Sequence, residues 1–210
     1  MTRPAIPCAR IIRRASVHAV LGFTCCVTAF PFLWMAVSSL KTKEEVLDTA
    51  SFLPSVPQFG NYRSILADSP IPGYLANSFF VSLAAAAIQL VCCALFTYAV
   101  TFMKIRGRDM LFRLVLFTYM VPTAVTYIPC YIILSRMGLL DSYQGLILSN
   151  GVSVFGIFLL HQAFEAVPKE TMEAARMDGA GHLSILTRII VPMTRPSFMT
   201  FILLSFINTY

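Results

Sequence analysis

The residues best equipped for chemistry in this chain lie between two apolar runs. The stretch KETMEAARMDGAGHLSILTRIIVP, from Lys169 to Pro192, carries Lys169, Glu170, Glu173, Arg176, Asp178 and Arg188. Charges of both signs on a short helical segment suit ion pairing with another macromolecule. They do not form a convergent acid, base and nucleophile. H-E-x-x-H and G-x-S-x-G are both absent, as is the phosphate-cradling G-x-x-x-x-G-K-[ST]. His18, His161 and His182 are far apart, and two of them fall at expected membrane edges, where an interfacial role outweighs a metal site. The cysteines Cys8, Cys25, Cys26, Cys92, Cys93 and Cys130 lack C-x-x-C spacing and read as small packing residues. An integral membrane enzyme is therefore disfavoured.

A second set of polar residues lies inside the apolar runs. Asn77, Gln89, Tyr127 and Asn150 are the candidates for a translocation path. Asn77, Ser78, Ser82, the run Ala84–Ala87 and Gln89 share one run, and small residues let helix backbones approach closely, so this helix should be buried in a bundle. Tyr127 accompanies Pro122 and Pro129, which free backbone carbonyls. The run is either a kinked helix beside a pathway or a packed kink with its tyrosines at the interfaces. Asn150 reads first as an interhelical hydrogen bond. No Asp, Glu, Lys or Arg falls inside a complete span, so the energy for any transport comes from elsewhere than an embedded ion relay.

The elements that position these residues follow from composition. Of 210 residues, 57% are hydrophobic and 12% charged, with a mean hydropathy of +0.73, far from a soluble domain. Four windows are long enough to span: Val17–Leu40, Ile71–Met103, Leu114–Ser135 and Ser142–Phe164. A fifth begins at Ser197 and is still apolar at Tyr210, which suggests a chain lacking its last helix. The first reads as a retained helix, being too long for a signal-peptide core. Twelve of the 16 basic residues lie before the first window or in the second and fourth connections, which puts the N-terminus in the cytoplasm. The net charge of +6 is then a topology signal and no nucleic-acid footprint. The connection Lys41–Pro72 should form an extracytoplasmic cap with one short helix near Asn61–Leu66.

Topology thus puts Lys169–Pro192 in the cytoplasm, and its local chemistry shapes it. Pro168 suits a first helical position, Glu170 and Glu173 complement the helix dipole, and Gly179 supplies a left-handed end to a helix over Lys169–Asp178. From His182, apolar residues recur at helical spacing until Pro192 and Pro196 interrupt them. Ala174 and Ala175 give the first helix a smooth side flanked by Glu173 and Arg176. A solvated loop would not need these features together, and the second helix is too apolar to read DNA bases. A docking knob for a cytoplasmic partner remains.

These residues resemble a known signature. E-A-A at Glu173–Ala175, Gly179, and I-x-x-P at Ile189–Pro192 are similar to the EAA loop of binding-protein-dependent ABC importer permeases, with Asp178 and Ala180 matching its flanks. SLK at Ser39–Lys41, FGNY at Phe59–Tyr62, ANSF at Ala76–Phe79 and LLDSYQGLIL at Leu139–Leu148 resemble the carbohydrate branch, on the side of the maltose-type second permease.

The resemblance implies an all-α, polytopic transmembrane bundle of the type I ABC importer permease fold. Residues 1–70 would form a cytoplasmic tail, the first helix and the outer loop, and residues 71–210 the permease core, C-terminally incomplete because a W-N-x-x-L-W-P-like continuation is expected after Asn208. It further implies a bacterial inner-membrane location and assembly with a second permease, a cytoplasmic ABC ATPase dimer and an extracytoplasmic solute-binding protein. ATP is used by the partner subunit, and this chain binds no cofactor. The alternative is a non-ATP-driven membrane transporter or channel whose cytoplasmic loop only anchors it.

Overall fold

The computed structural model of the protein describes residues 8–48 and 51–210. Among the described residues every regular element is helical; Arg3, one of the basic residues counted for topology, lies outside them. Two compact units divide between Pro72 and Gly73.

The first unit holds α1 (Cys8–Ser38), α2 (Lys43–Leu47) and α3 (Gly60–Asp68). Within α1, Arg13–Ser38 is long and apolar enough to cross a membrane. The hydroxyls of Thr24 and Thr28 donate back to the carbonyls of Val20 and Thr24, each at 2.9 Å, so these polar groups are satisfied within the helix. The short helix expected near Asn61–Leu66 is α3. Sequence reading missed α2, although its signal was present: Thr42 and Glu45 form a capping box, the T-x-x-E pattern. Two of the stretches that carried the family resemblance bind each other. The Asn61 amide donates to the carbonyls of Ser39 at 3.0 Å and Lys41 at 3.1 Å, and the Ser39 and Tyr62 hydroxyls meet at 2.6 Å. Lys41 is buried; its ammonium donates to the Ser51 carbonyl at 2.6 Å and lies 4.8 Å over the Trp34 ring.

The second unit is organised around α4 (Ile71–Phe102), the unbroken span expected over Ile71–Met103. Its buried residues include Ser82, Ala85, Ala86, Gln89, Cys93 and Thr97, a stripe of small and polar side chains that lets neighbours approach. The third run is bent by 100° between α5 (Arg108–Thr118) and α6 (Thr123–Arg136). Pro122, which has no N–H and disfavours helix in the residue before it, occupies the cap position of α6.

The fourth run departs from the single helix expected over Ser142–Phe164. It breaks into α7 (Tyr143–Ser149) and α8 (Val154–Glu165), bent by 49°. The signal was Asn150–Gly151 followed by Ser153, whose hydroxyl accepts from the Gly156 N–H at 3.1 Å and starts α8.

Beyond α9 (Lys169–Met177), α10 (His182–Ile185) leads through a π turn, Leu186–Ile190, into α11 (Val191–Met193). Pro192 was expected to interrupt this helix, yet the helix passes through it. The Val191 N–H reaches back five residues to the Leu186 carbonyl, and this wider turn relieves the clash between a proline ring and the carbonyl four residues earlier. An 88° bend at Thr194 then opens α12 (Arg195–Thr209), with Pro196 in its first turn.

The core of this unit joins Leu160 and Phe164 of α8, Ile185, Ile190, and Phe198 and Phe201 of α12. Gly156 permits a close approach of α12, because a Cβ there would collide with the edge of the Phe201 ring. Counting each bent pair as one span, the described residues hold up to five membrane crossings. The cysteines correct one expectation: Cys93 is buried, but Cys25, Cys26 and Cys92 are exposed on this chain and fill no internal gap.

Candidate functional site

The Lys169–Pro192 segment forms a two-helix knob whose turn is fully capped. Gly179 adopts φ +76°. Its N–H donates to the Arg176 carbonyl and the Ala180 N–H to the Ala175 carbonyl, each at 3.0 Å, which is the Schellman arrangement. Pro168 sits one position before the helix, at its cap. Nothing lies within 4 Å of where a Gly179 side chain would begin, so the turn faces open space.

The alanine pair divides between two environments because adjacent helical residues point about 100° apart. Ala175 is buried with Met172 beneath α9, whereas Ala174 is exposed beside Glu173. The side offered outward is thus Glu173, Ala174, Asp178 and Gly179. Sequence reading missed Met177, 88% exposed, and did not separate Leu183, 66% exposed, from its buried neighbours. These two large apolar side chains flank the glycine turn. Ala180 and Ile189 are half-buried against the core, and Pro192 is exposed.

Arg176 was expected to flank the docking side. Its guanidinium instead turns back and donates to the Phe102 carbonyl, the last residue of α4, at 2.8 Å. Arg108 donates to the adjacent Thr101 carbonyl at 3.2 Å. The Tyr98 hydroxyl meets His182 Nδ1 of α10 at 3.0 Å.

A cleft of about 490 Å³ lies among α4, the α7–α8 break and α12. Gln89, Asn150, Ser205 and Asn208 line it together with Tyr119. Gln89 is fully engaged at its rim: its amide donates to the Asn150 carbonyl at 2.5 Å, and its carbonyl accepts from the Ser205 hydroxyl at 2.7 Å. Below it, Cys93 and Thr97 make longer contacts, each 3.4 Å, with the carbonyls of Ser153 and Ile157. Gln89 therefore satisfies a carbonyl freed where the fourth run breaks, while Cys93 and Thr97 add a second donor at Ser153, whose carbonyl already accepts from the Ile157 N–H, and a contact to Ile157 inside α8. Asn77 and Tyr127 do not line this cleft; both are exposed elsewhere, on α4 and α6. Ser205 and Asn208 were missed, being isolated polar residues in a run read only for hydropathy, and Tyr119 was read only as one of the tyrosines around the prolines of the third run. Among the described residues no cluster of His, Cys, Asp and Glu could hold a metal ion.

Residues 90–209, which contain the knob and all of this cleft's lining but Gln89, match the family described as the binding-protein-dependent transport system inner membrane component. The chain belongs to that family. As an inner membrane component with these apolar helices it is a multi-pass membrane protein. Among curated relatives, it is 28% identical over 184 residues to the sulfoquinovosyl glycerol transport system permease protein SmoH of Agrobacterium fabrum, covering 86% of this chain and 65% of SmoH. It is 30% identical over 206 residues to the sn-glycerol-3-phosphate transport system permease protein UgpE of Agrobacterium fabrum, covering 94% of this chain and 73% of UgpE. This inner membrane component thus spans about two thirds of the length of the curated relatives it matches. A crystal structure of a bacterial ABC transporter involved in the import of the acidic polysaccharide alginate superposes with a TM-score of 0.86 at 27% identity, over 100% of this chain and 74% of that one.

Proposed function

We propose that this chain is the permease subunit of an ATP-driven, binding-protein-dependent carbohydrate importer, and that its knob is the seat for a cytoplasmic ABC ATPase. The capped, outward-facing Gly179 turn carries this reading most directly, with the carboxylates of Glu173 and Asp178 and the exposed Met177 and Leu183 around it. Such a surface offers apolar anchors inside an acidic rim. The family match and the sugar-transport names among the relatives support the same conclusion.

In this reading the N-terminus is cytoplasmic and α6, with no buried residue, is covered by lipid and by a second permease. A solute-binding protein delivers the carbohydrate from outside. The cleft lined by Asn150, Asn208 and Tyr119 contributes hydroxyl-directed hydrogen bonds to the translocation path, and Gln89 holds its rim. No covalent step is needed, since alternating access moves the substrate while the ATPase supplies the energy.

The test is affinity purification of the chain from its native membranes, with the ATPase followed by mass spectrometry and vanadate-sensitive ATP hydrolysis. The ATPase should co-purify with the unaltered chain and be lost with Glu173→Lys. Unchanged association of the variant would overturn the docking assignment.

A further inference from the structure

Both helices of the knob are fastened to the same end of the same span. Arg176 of α9 donates to the Phe102 carbonyl, and His182 of α10 meets the Tyr98 hydroxyl one turn earlier. The last carbonyls of a helix lack intrahelical partners and carry the negative end of its dipole, so a guanidinium there makes a directed, charge-assisted bond. Arg108 takes the neighbouring Thr101 carbonyl, and among the described residues Arg176 supplies the side-chain hydrogen bond from α9 to that helix end, beside the apolar packing of Met172 and Ala175.

The span so gripped is also the straight one. From Gly73 onward, α4 is the unbroken crossing among the described residues of its unit, whereas the others are bent by 100°, 49° and 88°. Farther along, α4 holds the α7–α8 break through Gln89, and through Gln89 it also holds Ser205 of α12. A displacement of the knob therefore enters the bundle at Phe102 and can leave it at the cleft.

We infer that Arg176 is a positioning residue that locks the knob to the end of α4, so that the two move as one body and ATPase closure is delivered along α4 to the cleft. The inference rests on the ATPase-docking reading and adds the route taken by the motion. Arg176 is exposed and faces away from the docking side, so its replacement costs little folding stability and leaves ATPase binding in place.

The experiment uses the complete complex in lipid nanodiscs, with spin labels at Lys169, on α9 but outside the docking side, and Leu83 on a background whose native cysteines are replaced by serine. Both positions are exposed, and the 19 residues of helix between Leu83 and Phe102 span roughly 28 Å, a measurable distance. With Arg176 present, trapping by ATP and vanadate should leave the label separation unchanged. With Arg176→Met the separation should shift by about 2 Å or more on trapping, the scale of helix movement at interfaces, while the ATPase remains bound. Arg176→Lys, which keeps a cationic donor, should restore the unchanged distance. A Met variant as rigid as the original, or a Lys variant as loose as Met, would overturn the inference. Loss of the ATPase from the unaltered complex would sink the docking reading itself and this inference with it.

Discussion

Replacing Gly156 by alanine should loosen the core, although alanine is normally the better helix residue. On propensity alone the change stabilises α8 by about 1 kcal/mol. The added Cβ, however, falls on Cε2 and Cζ of Phe201, closer than real side chains approach. Phe201 is 1% exposed and cannot swing into solvent. Inserting a methyl group into a filled core costs roughly 1–3 kcal/mol, so the net change is a destabilisation of about 0–2 kcal/mol, and more for valine. Thermal inactivation in detergent, followed as loss of the monodisperse peak on size exclusion, reports this as a rate. A net 1 kcal/mol corresponds to at most about a fivefold faster loss. The decisive control is Phe201→Leu, which vacates the space the new methyl needs. Combined with it, Gly156→Ala should lose most of its penalty, giving a coupling of about 0.5–3 kcal/mol. Strict additivity, or a stabilised single variant, would refute the contact as the cause.

Gly179→Val should strain the knob, because a β-branched residue at φ +76° costs roughly 1–2 kcal/mol; reduced ATPase co-purification with unchanged membrane insertion is the expected readout. Gln89→Leu removes the hydrogen bonds to Asn150 and Ser205. Membrane hydrogen bonds average about 0.6 kcal/mol each, so thermal inactivation should quicken several-fold while substrate uptake falls further. Outside the spans, the Ser55 side chain, the Thr42 N–H and the Ser55 N–H hold the Glu45 carboxylate below its usual range. Since the folded value is depressed, the contribution is present above the ordinary carboxylate range and is lost as pH falls through the folded value. The protection of the Ser55 amide against hydrogen exchange, relative to its intrinsic rate at each pH, should fall on acidification, and Glu45→Gln should flatten that dependence.

What could be read from sequence divides by the range of the interaction. The extent of α4 was legible because hydropathy and length alone set a span, and the third run's bend was legible because proline acts on its own backbone. The left-handed Gly179 was legible for the same local reason. The fourth run's break was written in Asn150–Gly151 and Ser153, but an apolar window hides turn residues. Pro192 misled in the other direction, since a proline reads as a stop when no one can see the widened turn that accommodates it. Arg176 lay beyond any sequence rule: its acceptor is a backbone carbonyl 74 residues away, and every residue has a carbonyl. The cleft was half visible for that reason too. Gln89 and Asn150 drew notice as amides in lipid-sized runs, while Ser205 and Asn208 matter only because α12 folds back beside α4.

The three contacts from α4 to the broken fourth run also act as a key. Gln89, Cys93 and Thr97 recur every four residues and face the carbonyls of Asn150, Ser153 and Ile157. Sliding α4 by less than a turn would unseat all three teeth at once, and the next fit lies a full pitch of about 5.4 Å away. These two helices are therefore indexed rather than lubricated. Whatever opens and closes this bundle must hinge at the bends around them, not glide along their shared seam.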